Sequence, residues 1–208
     1  MVHKPLKIAS PVEFSVFGAS PGAGRVRIAS NPPAHSSAAA RLRAAGADIV
    51  DSELPGECAD ISEIQSRHSY YEAPRGHAPE LHRHAALLSD DILANGRIAA
   101  GRKLSLDDFR AAWRRADTAR AAAHEWAGGF DAILTLPAPG QAPRGLGSTG
   151  SAIFNGLWTV LYMPCLTLPA GAGPDGLPVG IQLVGRRHSD ARLLDVGLWV
   201  ERELGARP

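Results

Sequence analysis

The clearest pattern along the chain is a pair of short apolar runs separated by a turn. Cys165-Leu166-Thr167-Leu168-Pro169 follows Pro164 and is apolar throughout except for Thr167. Val179 to Gly185 is apolar apart from Gln182 and ends on glycine. Runs of that length between Gly and Pro suit interior strands better than helices. The connection from Ala170 to Pro178 holds Pro174-Asp175-Gly176. There Pro fixes φ, Asp can bond its own backbone and Gly takes the left-handed position, so a turn is expected. The Asp190 to Leu204 segment, with Leu193, Leu194, Val196, Leu198 and Val200, reads as a helix closing against the sheet.

Upstream, Ser105-Leu-Asp-Asp108 reads as a capping box with Asp in place of the usual Glu. It opens the longest expected helix, Leu106 to Ala127, which Gly128-Gly129 ends. Phe109, Trp113, Ala116, Arg120, Ala123 and Ala127 recur on it at helical spacing, and core packing is the expected role of its two aromatics. From Asp60 to Gly101 the pattern is helical and polar. Ile61, Ile64, His68 and Tyr71 share one face, and Leu81, Leu88 and Ile92 continue an apolar stripe beyond Pro79. Arg25 to Ser30 alternates like a strand, a helix runs from a Ser36 or Ser37 cap to Ala45 with Gly46 as its stop, and Asp48 to Leu54 reads as a second strand. Short connections make this a β-α-β unit with parallel strands. Residues 1–24 read as a leader whose order the pattern leaves open, ahead of a domain over 25–208. Its Gly18 to Gly24 run lacks the Gly-Lys-Ser/Thr ending of a phosphate loop.

Composition narrows the classes. With 45% hydrophobic and 21% charged residues, 208 residues can fold around one core. A net charge of +1 gives no electrostatic case for nucleic acid or an anionic membrane. No apolar run reaches the roughly 20 residues of a membrane-spanning helix, and no signal-peptide pattern opens the chain. Two cysteines, Cys58 and Cys165, suit a reduced, cytoplasmic setting. Cys165 is expected to be buried and inert.

The C-terminal pattern also carries a resemblance. Phe154-Asn155-x-x-Trp158-Thr159-x-Leu161-x-x-Pro164-Cys165-x-x-Leu168-Pro169-Ala170-Gly171, followed by GLPVGIQLVGR at Gly176 to Arg186, resembles the C-terminal end of the amidase signature family. That family includes bacterial amidases and the A subunit of the glutamyl-tRNA amidotransferase. Phe130 to Pro139, FDAILTLPAP, resembles the family's strand and loop of the type D-x-x-L-T-P-x-x-P. The resemblance implies an α/β fold, a mixed sheet flanked by helices, lacking the N-terminal half of that fold. It also implies amide-bond hydrolysis by a Ser-cisSer-Lys triad lying upstream of the matched segment. The lysines here are Lys4, Lys7 and Lys103, and no GGSSGGS-like run occurs. No catalytic residue is therefore assigned. The helix at Phe154, Asn155, Trp158 and Thr159 borders the acyl pocket in the family, so these are the expected substrate-binding residues, with core packing the alternative for Phe154 and Trp158. Where the amidotransferase branch carries an Asp for glutamine, Ala152 stands, which favours the general amidase branch.

Other candidate chemistry is weaker. Ser148 and Ser151 lie in a Gly-rich loop, Gly147 to Ser151, that has the look of a nucleophile turn, but no base is implied beside them. Capping of the next helix by Ser151 or Thr149 is the expected role. His68, His77, His82 and His84 lack metal-site spacing, so neither metal nor cofactor is expected. The Pro137 to Gly150 loop is an expected ligand loop. The expectation is thus the pocket side of an amidase, not catalytic alone. A non-catalytic binding or partner module and a small serine hydrolase using Gly147 to Ser151 are the alternatives. Expected partners are a small-molecule amide and either a second copy or a complementing N-terminal half.

Overall fold

The computed structural model describes residues 6–11, 15–17, 25–27, 33–93 and 97–205. In chain order the strands are β1 (Lys7–Pro11), β2 (Ser15–Phe17), β3 (Arg25–Arg27), β4 (Asp48–Ser52), β5 (Ala132–Thr135), β6 (Cys165–Ala172) and β7 (Pro178–Val184). The α-helices are α1 (Pro33–Ala44), α2 (Ile61–Gly76), α3 (Ala78–Arg83), α4 (Asp90–Leu93), α5 (Arg97–Gly101), α6 (Leu106–Ala127), α7 (Ile153–Leu161) and α8 (Asp190–Leu204). A mixed sheet runs in the order β4-β1-β5-β7-β6. β1 is parallel to β4 and β5, and β7 is antiparallel to β5 and β6.

The expected β-α-β unit is present, but with a different first strand. The strand parallel to β4 is β1, from residues read as a leader, with Ile8 opposite Ile49 on one side and Ala132 on the other. Arg25–Arg27 instead pairs antiparallel with Ser15–Phe17 in a separate ribbon. Ile8 is fully buried, and that burial between two strands gives the short KIASP segment its strand identity. Gly18 to Gly24 lies outside the described residues.

Alternation along β5 and β7 sorts the core into two layers. Ala132, Leu134, Ile181 and Leu183 pack with α1 and α8, through Leu42, Leu193, Val196 and Val200. Ile133 and Val184 pack on the other face with α2, α6 and α7, through Ile61, Ile64, Trp158 and a stripe of alanines. That stripe, Ala116, Ala119, Ala123 and Ala127, is what lets α6 lie close. The Ser105 box forms as expected: Asp108 N–H donates to Ser105 Oγ at 3.1 Å and Ser105 N–H to Asp108 Oδ2 at 3.0 Å. Between β6 and β7 the chain turns at Gly173 to Gly176, where Gly176 N–H donates to Gly173 O at 2.9 Å and Gly176 has φ 77°. α5 lies against α2 at Gly101, where a Cβ would come within 1.8 Å of the Tyr70 carbonyl oxygen.

Three local expectations are corrected. Cys165 is exposed rather than buried, because β6 is the last strand of the sheet and its alternate residues face outward. The sulfur is still partly desolvated, which pushes its thiol up to about 11. The stripe of Leu81, Leu88 and Ile92 stays at least partly exposed, and Ile98 of α5 fills that flank instead. The residue ahead of α7 is Ala152, with no side-chain cap, so neither Thr149 nor Ser151 caps it.

Candidate functional site

A cavity of about 790 Å³ opens among α2, α5, α6 and the end of α7. Its volume is in the range of small-molecule sites, roughly 300–1,000 Å³. α2 contributes Gln65, His68 and Glu72, α6 contributes Trp113 and Arg120, and the α7 end contributes Thr159 and Tyr162.

Arg120 organises this wall. It is only 7% exposed, and its Nε–H donates to the Val160 carbonyl at 2.7 Å while Nη1 donates to Asp117 at 2.8 Å. Its guanidinium lies 4.8 Å from the Trp113 ring centre and 3.9 Å from that of Tyr162. Tyr162 ends α7 in the left-handed conformation, φ 56°, which costs a bulky residue about 1–2 kcal/mol. Stacking on Arg120 offsets part of that cost, since a cation–π contact to an exposed ring is worth about 0.5–1 kcal/mol.

His68 lies nearly parallel to Trp113, with centroids 4.8 Å apart and planes 12° apart. The ring is 9% exposed, and its Nε2 is buried without a partner among the described residues. Burial and then the Arg120 charge hold its pKa below the usual histidine value. The cavity presents aromatic faces, an imidazole and a guanidinium already bonded to the protein, a lining suited to holding a small molecule.

The expected pocket residues divide between this cavity and the core. Thr159 lines the cavity, with its hydroxyl donating to Asn155 O at 2.8 Å. Phe154 and Trp158 are buried to 2% and 1% exposure, with Trp158 in the core beneath α7. Asn155 points to the sheet instead: its Nδ2 donates to Pro137 O at 3.2 Å, and its Oδ1 accepts from Gln182 Nε2 at 3.1 Å. Asn155 thus ties the start of the Pro137 to Gly150 loop to β7. Gln182 sits opposite Thr135, and both are buried with an oxygen lacking a partner among the described residues. The loop itself is mostly exposed and supplies none of the cavity's lining; Gln141 anchors it to the hairpin through Asp175 N–H at 3.1 Å.

The side chains that shape the cavity were readable only as helix-face residues. His68 shares an apolar face with Ile61 and Ile64, and Trp113 falls one turn from Phe109. No local pattern announces that Arg120 reaches both Trp113 and Tyr162. Ser148 Oγ accepts from Gly150 N–H at 3.1 Å, an ordinary turn bond. Among the described residues no group of His, Cys, Asp and Glu is arranged to hold a metal ion. No described helix is long and apolar enough to cross a membrane.

No family model matches the chain. The A subunit of glutamyl-tRNA(Gln) amidotransferase from Bradyrhizobium diazoefficiens is 30% identical over 200 residues, covering 82% of this chain and 40% of that protein. A solved amidase superposes with a TM-score of 0.71 at 29% identity, over 83% of this chain and 41% of its own. This chain carries part of an amidase signature fold. A 6-aminohexanoate cyclic dimer hydrolase, at TM-score 0.71 and 19% identity, and a bacterial aryl acylamidase of the amidase signature enzymes, at 0.65 and 17%, share that fold over nearly the whole chain. The chain spans less than half the length of these relatives, 40% to 47%, consistent with the C-terminal half of the fold.

Proposed function

We propose that the chain forms the substrate-pocket side of an amidase and does not hydrolyse amides by itself. The observation that carries this reading is a built cavity beside which, among the described residues, no serine, Ser69 of its wall included, is hydrogen-bonded to a histidine or lysine. Amide cleavage needs a nucleophile with a base, a proton for the leaving nitrogen and an oxyanion hole. Ser148 is engaged in a turn and Ser151 is exposed. The Lys7 ammonium lies 5.4 Å from the Phe130 ring centre and Lys103 is exposed, while Lys4 is outside the described residues. Removing a triad whose members act as a unit leaves only residual catalysis.

The cavity's aromatic and polar lining fits a small aryl or alkyl amide, with Trp113, His68, Tyr162 and Thr159 as its contacts. Phe154, Asn155 and Trp158 then act behind it, supporting α7 and the Pro137 to Gly150 loop. The partner is a polypeptide that supplies the catalytic half, or a second copy of the chain, in a reduced, cytoplasmic setting. A non-catalytic binding module is the second reading, favoured by the Arg120 guanidinium of the wall being already bonded to Val160 O and Asp117. The test measures binding and turnover separately. Acetanilide should quench tryptophan fluorescence saturably, less so in Trp113→Phe, with no sustained turnover. Turnover by the purified chain that disappears in Ser148→Ala or Ser151→Ala would instead favour the serine hydrolase.

A further inference from the structure

A second concavity, about 340 Å³, lies between α6 and the connection from β7 to α8. Its wall contains Asp117, Arg120 and His124 of α6 and Arg187 and His188 of the connection. Arg186 joins the cluster from the rim, donating from Nε and Nη2 to His124 Nε2 at 3.2 and 2.7 Å. A guanidinium has no acceptor, so His124 Nε2 must hold the lone pair and Nδ1 the proton. That Nδ1–H is buried and finds no acceptor among the described residues. Arg186 also lies beside Gly128 at the C-terminal end of α6, where the helix dipole favours a cation. This contact positions Arg186 without using Arg187 or His188.

The cluster has donors in excess. Asp117 is the carboxylate in the wall, and Arg120 already occupies it at 2.8 Å. Arg187 stacks over Tyr162 at 5.4 Å. Burial, followed by the positive groups Arg186, Arg187 and His188 nearby, lowers the His124 pKa, as expected of a locally positive field. Tyr162 and His188, at φ 56° and 64°, are the non-glycine residues with positive φ among the described residues. Both stand at this cluster, and costly backbone conformations of this kind gather at ligand sites.

We propose that this concavity binds a phosphate monoester. Arg186 and Arg187 add two guanidiniums beside a carboxylate that Arg120 already occupies, which matches a doubly charged acceptor better than a single carboxylate. Arginine forks suit phosphate oxygens, and the concavity leaves room beyond the phosphate for the organic part of an ester.

The experiment follows the imidazole resonances of the full chain at low ionic strength, with phenyl phosphate as the probe. Inorganic phosphate, acetate and sodium chloride at matched ionic strength are the comparisons. Saturable shifts of His124 and His188 are expected with phenyl phosphate, and acetate should bind at least about tenfold more weakly. Arg187→Gln should weaken phenyl phosphate about tenfold by removing one charge-assisted donor. His188→Gly removes an imidazole where the backbone already favours glycine, so it should keep the fold while also weakening binding. Non-saturating drift reproduced by sodium chloride overturns the site. Acetate binding as tightly as phenyl phosphate overturns the ligand class. Unchanged affinity in both variants overturns the assignment to these residues.

Discussion

The two faces of the sheet are covered in different ways. Under α1 and α8 the fully buried contacts are aliphatic, Leu42, Leu183, Val196 and Val200, each buried to 1% exposure or less, with Trp199 partly buried beside them. Under α2, α6 and α7 aromatic and charged side chains take part, and both concavities described above lie on this side. Flexible aliphatic side chains interdigitate to crystal-like density. Flat rings and a guanidinium that must keep its hydrogen bonds cannot fill space so freely. The same sheet is therefore closed by a buried core on both faces, and it carries its concavities on one of them.

The largest test of that contrast lies at the layer beneath the cavity. Trp158→Ala should lower unfolding free energy by about 3–5 kcal/mol, measured by urea denaturation. Trp113→Ala, on the cavity wall, should cost only about 1–2 kcal/mol while removing most acetanilide binding. If the two losses of stability were equal, the cavity wall would be ordinary core. Next, Arg120→Met should cost about 1.5–3 kcal/mol, because it leaves the Val160 carbonyl without its charged donor. A neutral outcome would mean that the guanidinium does not join α6 to α7. Ser105→Ala should cost about 1 kcal/mol, through fraying at the first turn of α6 that amide exchange can follow.

The smallest effect concerns pH. His68 and His124 both have folded pKa values below that of a free histidine. Between those depressed values and about 6.5, the unfolded chain binds more protons than the folded one, so stability falls as pH drops through that window. His68→Gln should flatten the slope without abolishing it, since His124 contributes as well. A steeper slope in that variant would contradict the assignment.

What was legible in the sequence was what short-range chemistry decides. The Ser105 box, both ends of α6 and the Gly173 to Gly176 turn depend on neighbours within a few residues. The family motif at Phe154 to Gly185 carried the mixed sheet and its flanking helices with it. Less legible were features that need distant partners. KIASP is too short to declare itself a strand, and it becomes one only between β4 and β5. The apolar run at Cys165 could not reveal that β6 ends the sheet, leaving the thiol outside. The cavity needed three helices in place before His68, Trp113, Arg120 and Tyr162 could meet.

The position of β1 has a consequence for the order of assembly. Lys7 N–H donates to the Asp131 carboxylate at 2.8 Å, across 124 residues of sequence. On a ribosome delivering about 5–20 residues per second, β1 emerges ahead of β5 and must wait several seconds for it. During that interval β4 can cover only one of its edges, and Ile8 has no complete layer around it. Long-range closure of this kind slows folding and prolongs the exposure of strand edges to other chains. Recovery of native protein should therefore depend more on chaperone supply and synthesis rate than on the equilibrium stability of the finished fold.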